Sequence, residues 1–236
     1  GIWYYLDAET REATVISPED GWGYSGCDVI IPTTVTNEGK EYSVTEIGYQ
    51  AFYGSFIRSL IIPESVISFG NEAFRSCSVT KVINNSNLSL PYDFVYNAEV
   101  VYNSSELSTI NGFQFHASDG SHSLINYIGD KKEITLPSSY NGESYNIGDY
   151  AFYCCDYLRS VKFEITDFAT HYIGRGAFST CPRLPEITIP KDITEIHDDA
   201  FRSCISLQSV YMEPLEPPLL GEYVFAGTNE DLVIYV

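Results

Sequence analysis

Apolar residues return at matching places in successive segments of about two dozen residues, the mark of a chain built from stacked repeats. Aligned on an apolar-Gly-x-x-Ala-Phe core, copies begin at Ile47 (IGYQAF), Phe69 (FGNEAF), Ile147 (IGDYAF), Ile173 (IGRGAF), Ile196 (IHDDAF) and Leu220 (LGEYVF). The first two starts lie 22 residues apart and the last four 26, 23 and 24 apart, a leucine-rich-repeat spacing too short for ankyrin or tetratricopeptide units. Three positions after the Phe come Ser55, Cys77, Cys155, Cys181, Cys204 and Thr228, a column of small residues that predicts a crowded inner corner. Apolar anchors follow: Leu158, Val161 and Phe163; Leu184, Ile187 and Ile189; Leu207, Val210 and Met212; and Ile57, Leu60 and Ile62 in a copy one residue shorter. The last two of each trio alternate with other residues, and runs ending at Pro63 and Pro190 predict strands with one buried face that proline stops by lacking an amide donor. Stacking such turns in register builds a parallel sheet, one strand per coil.

The run IG-x-x-AF-x-x-C-x-x-L-x-x-[VI]-x-[IF]-P stands nearly whole from Ile173 to Pro190 and recurs with small departures in four more copies. In these residues the chain resembles the BspA-like leucine-rich repeats, a family found on the surfaces of Bacteroidetes, spirochaetes and some protist parasites. The resemblance implies an α/β solenoid: a right-handed leucine-rich-repeat superhelix, mostly parallel β with short helical turns, closed by β-hairpin caps. Two copies depart from the pattern. The Ile47 copy has Ser55 in place of cysteine, and the Leu220 copy loses the motif after Thr228 and reads as a cap hiding the open end.

Taken in order, residues 1–46 read as a hairpin cap, with extended runs around Trp3–Leu6 and Glu12–Ile16, a Gly-rich loop over 18–26, and a leading strand Asp28–Val35 interrupted at Pro32. Residues 47–110 form a first repeat block in which the motif fades after Val79 into irregular coils, with Leu88, Leu90, Phe94 and Val101 still placed to pack on the stack. Residues 111–146 repeat the opening: a hairpin (GFQFHAS to Leu124–Ile128), a strand EITLP and an Asn-Gly turn at Asn141. Residues 147–236 form the second block and C-terminal cap. The same order of elements twice over predicts an internal duplication within one continuous solenoid domain. Asn-Gly and Asp-Gly pairs favour the positive-φ turns of tight hairpins.

Charge narrows the function. With 32 acidic against 13 basic residues the formal net charge is −19, which disfavours nucleic acid, whose phosphates require Lys and Arg, and anionic membrane surfaces. At 44% hydrophobic and 19% charged residues the chain is not disordered, and no apolar run approaches the roughly 20 residues of a membrane span. No signal peptide is present, and a removed one would leave the same sequence. Six cysteines in an extracellular protein invite disulfides. However, Cys77, Cys155, Cys181 and Cys204 occupy the inward column, where stacked geometry rarely supplies the disulfide torsion; they are expected reduced, with Cys154 and Cys27 off the column. No pair of Cys-x-x-Cys motifs marks a zinc site.

No catalytic constellation emerges. His116, His122, His171 and His197 are scattered, and no Gly-x-Ser-x-Gly, HExxH or phosphate loop occurs. His197 and the Asp198-Asp199 pair stand in variable repeat positions, so neither catalysis nor calcium binding is assigned. Catalytic, cofactor and metal residues are expected to be absent, and the chain is read as non-enzymatic. What a solenoid offers is its sheet face. Strand residues that alternate with the anchors are Ser59, Ile61, Lys81, Ile83, Ser160, Lys162, Glu186, Thr188, Ser209 and Tyr211, the candidate partner-binding face. The family resemblance implies a cell-surface or secreted protein, its leader or lipid anchor removed, that mediates adhesion to host matrix or cell-surface proteins. The alternative is a carbohydrate-binding accessory protein using Tyr211, Tyr223 or Trp22 as an aromatic platform.

Overall fold

The computed structural model of the chain describes residues 1–18, 23–24, 28–92, 94, 98–103, 107–118, 120–164 and 170–236. Two compact units divide it, Gly1–Glu106 and Leu107–Val236. Each is a mostly-β solenoid with its own core, and essentially no helix is present among the described residues.

Helices are replaced by a backbone device written into the Ala-Phe motif. The amides of Ala51, Tyr53 and Ser55 donate three residues back, to the carbonyls of Gly48, Gln50 and Phe52 at 3.2, 3.0 and 3.1 Å. The alternate amides, those of Gln50, Phe52 and Gly54, donate to Asn71, Ala73 and Arg75 in the next coil at 3.3, 2.8 and 3.1 Å. Every amide of the segment is thus satisfied, half within the coil and half between coils. Gln50 and Gly54 have φ of 50° and 62°, and such left-handed residues break any helix. The pattern repeats in the second unit with Tyr150 and Cys154, Gly176 and Thr180, and Asp199 and Ser203, all at positive φ. The short helical turns expected from the family resemblance are therefore chains of hydrogen-bonded turns.

The motif phenylalanines stack through the interior. In the second unit Phe152, Phe178, Phe201 and Phe225 follow one another at 4.9, 5.3 and 5.5 Å with rings within 9° of parallel; in the first, Phe52, Phe74 and Phe94 stack at 5.6 and 4.1 Å. Offset stacking of this kind adds about 0.5–1.5 kcal/mol per pair beyond the burial itself. The small-residue column lies beside this spine. Cys181 and Cys204 donate their thiols to the carbonyls of Phe152 and Phe178, one coil back, at 3.2 and 3.0 Å. Ser55 takes the same place by accepting the Tyr24 amide at 3.0 Å. No disulfide joins Cys77, Cys154, Cys155, Cys181 or Cys204; Cys27 lies outside the described residues. Burial pushes the Cys77 thiol up to about 12 and the Cys181 thiol up as well.

In the first unit, strands β1 (Trp3–Asp7) and β2 (Glu12–Ile16) form the expected hairpin, and β2 runs parallel to β5 (Lys40–Ile47). The leading strand is two strands. β3 (Asp28–Ile30) heads a parallel sheet, while β4 (Thr34–Asn37), beyond Pro32, turns back antiparallel onto β5 through Glu38 and Gly39, both at positive φ. β7 (Ser68–Phe69) continues the other end of β5. The parallel sheet runs β3, β6 (Phe56–Ile62), β8 (Ser78–Asn84), β9 (Ala98–Asn103). Residues 79–110, expected to form irregular coils, thus hold most of β8 and all of β9: loss of the Ala-Phe motif after Phe74 did not interrupt strand pairing. Asn84 is buried and fully used, giving its amide to the Leu88 carbonyl at 2.9 Å and accepting the Ser86 hydroxyl at 2.6 Å.

In the second unit, β10 (Leu107–Ile110), β11 (Phe113–Ser118) and β12 (Ser121–Tyr127) form an antiparallel start. From β12 a parallel ladder of two-residue strands extends through β14 (Asn146–Ile147), β16 (Tyr172–Ile173), β18 (Glu195–Ile196) and β20 (Leu219–Leu220). Another side of each coil carries longer strands: β13 (Glu133–Leu136) with β15 (Ser160–Phe163), and β17 (Glu186–Ile189) with β19 (Ser209–Met212) and β21 (Val233–Tyr235). β21 corrects the expectation that the last copy ends at Thr228; it pairs with β19, matching Tyr235 to Tyr211. The division into units falls between 106 and 107, a few residues before the second hairpin expected from 111.

Candidate functional site

The ten candidate face residues divide between the units and fare differently. In β6 and β8, Ser59, Ile61, Lys81 and Ile83 are buried, so they cannot serve as an open binding face. The physical reason is legible in the strands themselves. Leu60-Ile61-Ile62 and Val82-Ile83 are continuous apolar runs, the pattern of a parallel strand buried on both sides, whereas one-sided strands alternate.

The second unit keeps the alternation. Along β17, Glu186 and Thr188 are exposed and Ile187 and Ile189 buried; in β15 and β19, Lys162 and Tyr211 are exposed, Val161 and Val210 buried, and Ser160 and Ser209 intermediate. Register places these side chains in rows. Glu186 pairs with Ser209 and Thr188 with Tyr211, while Glu133 pairs with Ser160 and Thr135 with Lys162. One row therefore reads Thr135, Lys162, then Thr188, Tyr211, Tyr235. Because strands stand about 4.8 Å apart, neighbouring side chains of a row touch: the rings of Tyr211 and Tyr235 lie 4.8 Å apart at 11°. Sequence reasoning missed Thr135 and Tyr235. The signal for Tyr235 was Ile234, six residues beyond Thr228 as Val210 is six beyond Cys204.

Several other polar groups pair within the fold. Asp149 Oδ1 accepts the Arg175 amide at 2.8 Å, and Asp198 Oδ1 the Glu222 amide at 2.7 Å, each carboxylate holding the next coil at the same repeat position. Asp199 pairs with Arg202 at 3.1 Å. His197 stacks on Tyr172 at 4.9 Å and meets Glu195 at 3.1 Å; His122 meets Glu143 at 3.3 Å and the Tyr140 ring at 4.8 Å. Among the described residues no group of three or more His, Cys, Asp and Glu is arranged to hold a metal ion. No helix among them is long and apolar enough to cross a membrane. Trp22 lies outside the described residues. Tyr223 is exposed on the turn side with the Arg202 guanidinium 5.9 Å from its ring centre, away from the Tyr211 row.

A model of the BspA type leucine rich repeat region matches residues 33–134 and 126–233 in six copies. Comparison with curated proteins finds no match. Among solved structures, the pneumococcal vaccine antigen PcpA is similar over 99% of this chain and 80% of its own, at 17% identity and a TM-score of 0.50, a likeness of fold. A leucine-rich repeat protein from Bacteroides ovatus is 25% identical over 96% of this chain, with a TM-score of 0.35. The chain spans 55% of that protein's length. A leucine rich cell surface protein from Faecalibacterium prausnitzii is 17% identical, covering 99% of this chain and 92% of its own, with a TM-score of 0.40.

Proposed function

We propose that this chain, which belongs to the BspA-type leucine-rich repeat family, is a non-enzymatic protein-binding module of a cell-surface or secreted protein, and that it binds through the outward strand face of its second unit. The observation that carries the reading is that Lys162, Thr188 and Tyr211 are exposed at the same repeat position of successive coils, with Thr188 and Tyr211 paired in register. The row changes chemistry at every step, from ammonium to hydroxyl to phenol. A surface that recognises an irregular protein epitope has this character, and aromatic residues are enriched where such surfaces bind tightly. A net charge of −19 favours a neutral or basic partner. Adhesion to host matrix or cell-surface proteins is the role the family resemblance supports.

The carbohydrate reading requires an open aromatic face on which a sugar ring can lie. Tyr211 stacks on Tyr235 and so covers one of its two faces, which favours protein over glycan. The test is binding of the purified chain to immobilised fibronectin, fibrinogen, mucin and a glycan panel, beside a variant carrying Lys162→Ala, Thr188→Ala and Tyr211→Ala. Saturable protein binding that the variant loses supports the reading; glycan binding alone, or protein binding the variant retains, overturns it.

A further inference from the structure

The strand face of the second unit is interrupted at one place. β13 pairs with β15 and β17 with β19, yet no ladder joins β15 to β17. Glu164 occupies the place where Pro137 and Pro190 stop the neighbouring strands. At the break lies a cleft of about 550 Å³, within the roughly 300–1,000 Å³ of ordinary ligand sites.

Its lining has three layers. Buried Val161 and Tyr145 form part of the floor, and the Tyr145 hydroxyl donates to the Pro137 carbonyl at 2.5 Å. Burial, and then the charge of Glu164, push that phenol's pKa up, so it remains a neutral donor. Pro137, Phe163 and Pro190 add apolar walls. Lys162, Glu164, Lys191, Asp192 and Glu213 also line the cleft, and none of the five forms an ion pair with a described residue. Glu164, Asp192 and Glu213 all follow the C-terminal ends of their strands, so carboxylates gather at one end of the opening.

We propose that this cleft seats an extended segment of the protein partner, taking one aromatic or large aliphatic side chain between Pro137, Phe163 and Pro190 and setting a neighbouring lysine or arginine against Glu164, Asp192 and Glu213. The proposal rests on the protein-binding reading above and deepens it. An apolar side chain seated in a pocket and ringed by polar groups is the arrangement that concentrates binding energy in interfaces. Three carboxylates against two ammonium groups, on a chain of net charge −19, select a basic neighbour over an acidic one.

The probe is a library of random short peptides selected on the full chain, followed by fluorescence anisotropy with the selected peptide. The expected consensus is a Phe, Tyr, Trp or Leu with Lys or Arg within about two positions, in keeping with an extended backbone. Its affinity should fall about tenfold or more when the apolar residue becomes Ala, or when the chain carries Ser138→Trp to fill the cleft or Glu164→Lys with Asp192→Lys to reverse its charge. Tyr223→Ala, exposed on the turn side away from the cleft and the row, should change it by less than about twofold. Circular dichroism of each variant establishes that the fold is kept. An acidic consensus, a consensus without an apolar anchor, or unchanged affinity in the filled and charge-reversed variants overturns the proposal. If a protein partner loses binding to the Lys162, Thr188, Tyr211 variant yet binds the filled and reversed variants normally, the cleft proposal fails and the face reading stands. If neither peptide nor protein binds, both fail.

Discussion

The phenylalanine spine makes a quantitative prediction about where stability resides. Phe178 is fully buried and lies between two parallel rings, Phe152 at 4.9 Å and Phe201 at 5.3 Å. Replacing it with Ala removes a whole ring and opens a cavity whose upper and lower walls are aromatic faces held by two other coils. Those walls cannot collapse without breaking the inter-coil bonds Phe152 N–H to Ala177 and Phe178 N–H to Ala200, at 2.7 and 2.8 Å. The cost should fall at the upper end of the range for Phe→Ala in cores, about 3–5 kcal/mol. At about 2–4 °C per kcal/mol for a chain of this size, Tm should drop by about 6–20 °C. Phe225 is only half-buried and meets one spine ring, Phe201 at 5.5 Å, so Phe225→Ala should cost about half as much, roughly 1.5–2.5 kcal/mol. Phe178→Leu, which keeps most of the volume, should cost about 1.5 kcal/mol. Thermal unfolding followed by circular dichroism, with urea titration to check the ranking, decides it. If Phe178→Ala costs less than about 1 kcal/mol, or no more than Phe225→Ala, the spine is not the organising contact of the second unit.

Four further predictions follow from other parts of the fold. A Cβ on Gly174 would stand 2.5 Å from Asp149 Oδ1 and 2.8 Å from the Asp149 amide nitrogen; the side chain can rotate away but the backbone cannot, so Gly174→Ala should destabilise by about 1–3 kcal/mol, measured by urea unfolding. Site-resolved alkylation of the native chain should label half-buried Cys154 well before buried Cys77, Cys181 and Cys204. Because the Cys77 thiol is raised to about 12, its neutral form is the one folding favours. That stability is fully present below the unfolded thiol pKa of about 8.5 and is lost as pH rises toward 12, a loss that Cys77→Ala should diminish. The Glu72 carboxylate accepts the Gln50 amide at 2.7 Å and pairs with Arg75 at 2.6 Å, and the Gln50 bond is the larger cause of its lowered pKa. The stability this supplies is present above the unfolded glutamate pKa and disappears as pH falls through the lower folded value; Gln50→Leu should move the Glu72 titration upward by NMR.

The repeat itself was plain in the sequence because one residue of the motif has one structural job. Each motif Phe joins a ring stack, the small residues Ser55, Cys77, Cys181 and Cys204 beyond it are buried, and alternation such as Glu186-Ile187-Thr188-Ile189 states which face is buried. What escaped were features set by neighbouring coils. Ile61 and Ile83 were assigned outward by counting alternation, although Leu60-Ile61-Ile62 is an unbroken apolar run and signals burial on both sides. β9 keeps the ladder with no Ala-Phe motif to announce it, because parallel pairing asks only for extended apolar residues in register. The near-absence of helix among the described residues was hidden because positive φ falls on Gln50, Tyr150, Cys154, Thr180, Asp199 and Ser203 as well as on glycine, imposed by inter-coil bonds and not by the residue's own preference. The break between β15 and β17 was not legible as coil length, because the laddered β13 and β15 begin 27 residues apart and β15 and β17 begin 26 apart.

The central claim is that the outward strand row of the second unit is the binding surface. It is tested most directly by hydroxyl-radical footprinting of the chain with and without a protein partner taken from the binding panel. Tyr211 and Tyr235 stand on that row, and Tyr223 on the turn side, all exposed. The account predicts strong protection of Tyr211 and Tyr235 with Tyr223 oxidised as in the free chain. Protection of Tyr223 with Tyr211 and Tyr235 left reactive would contradict it.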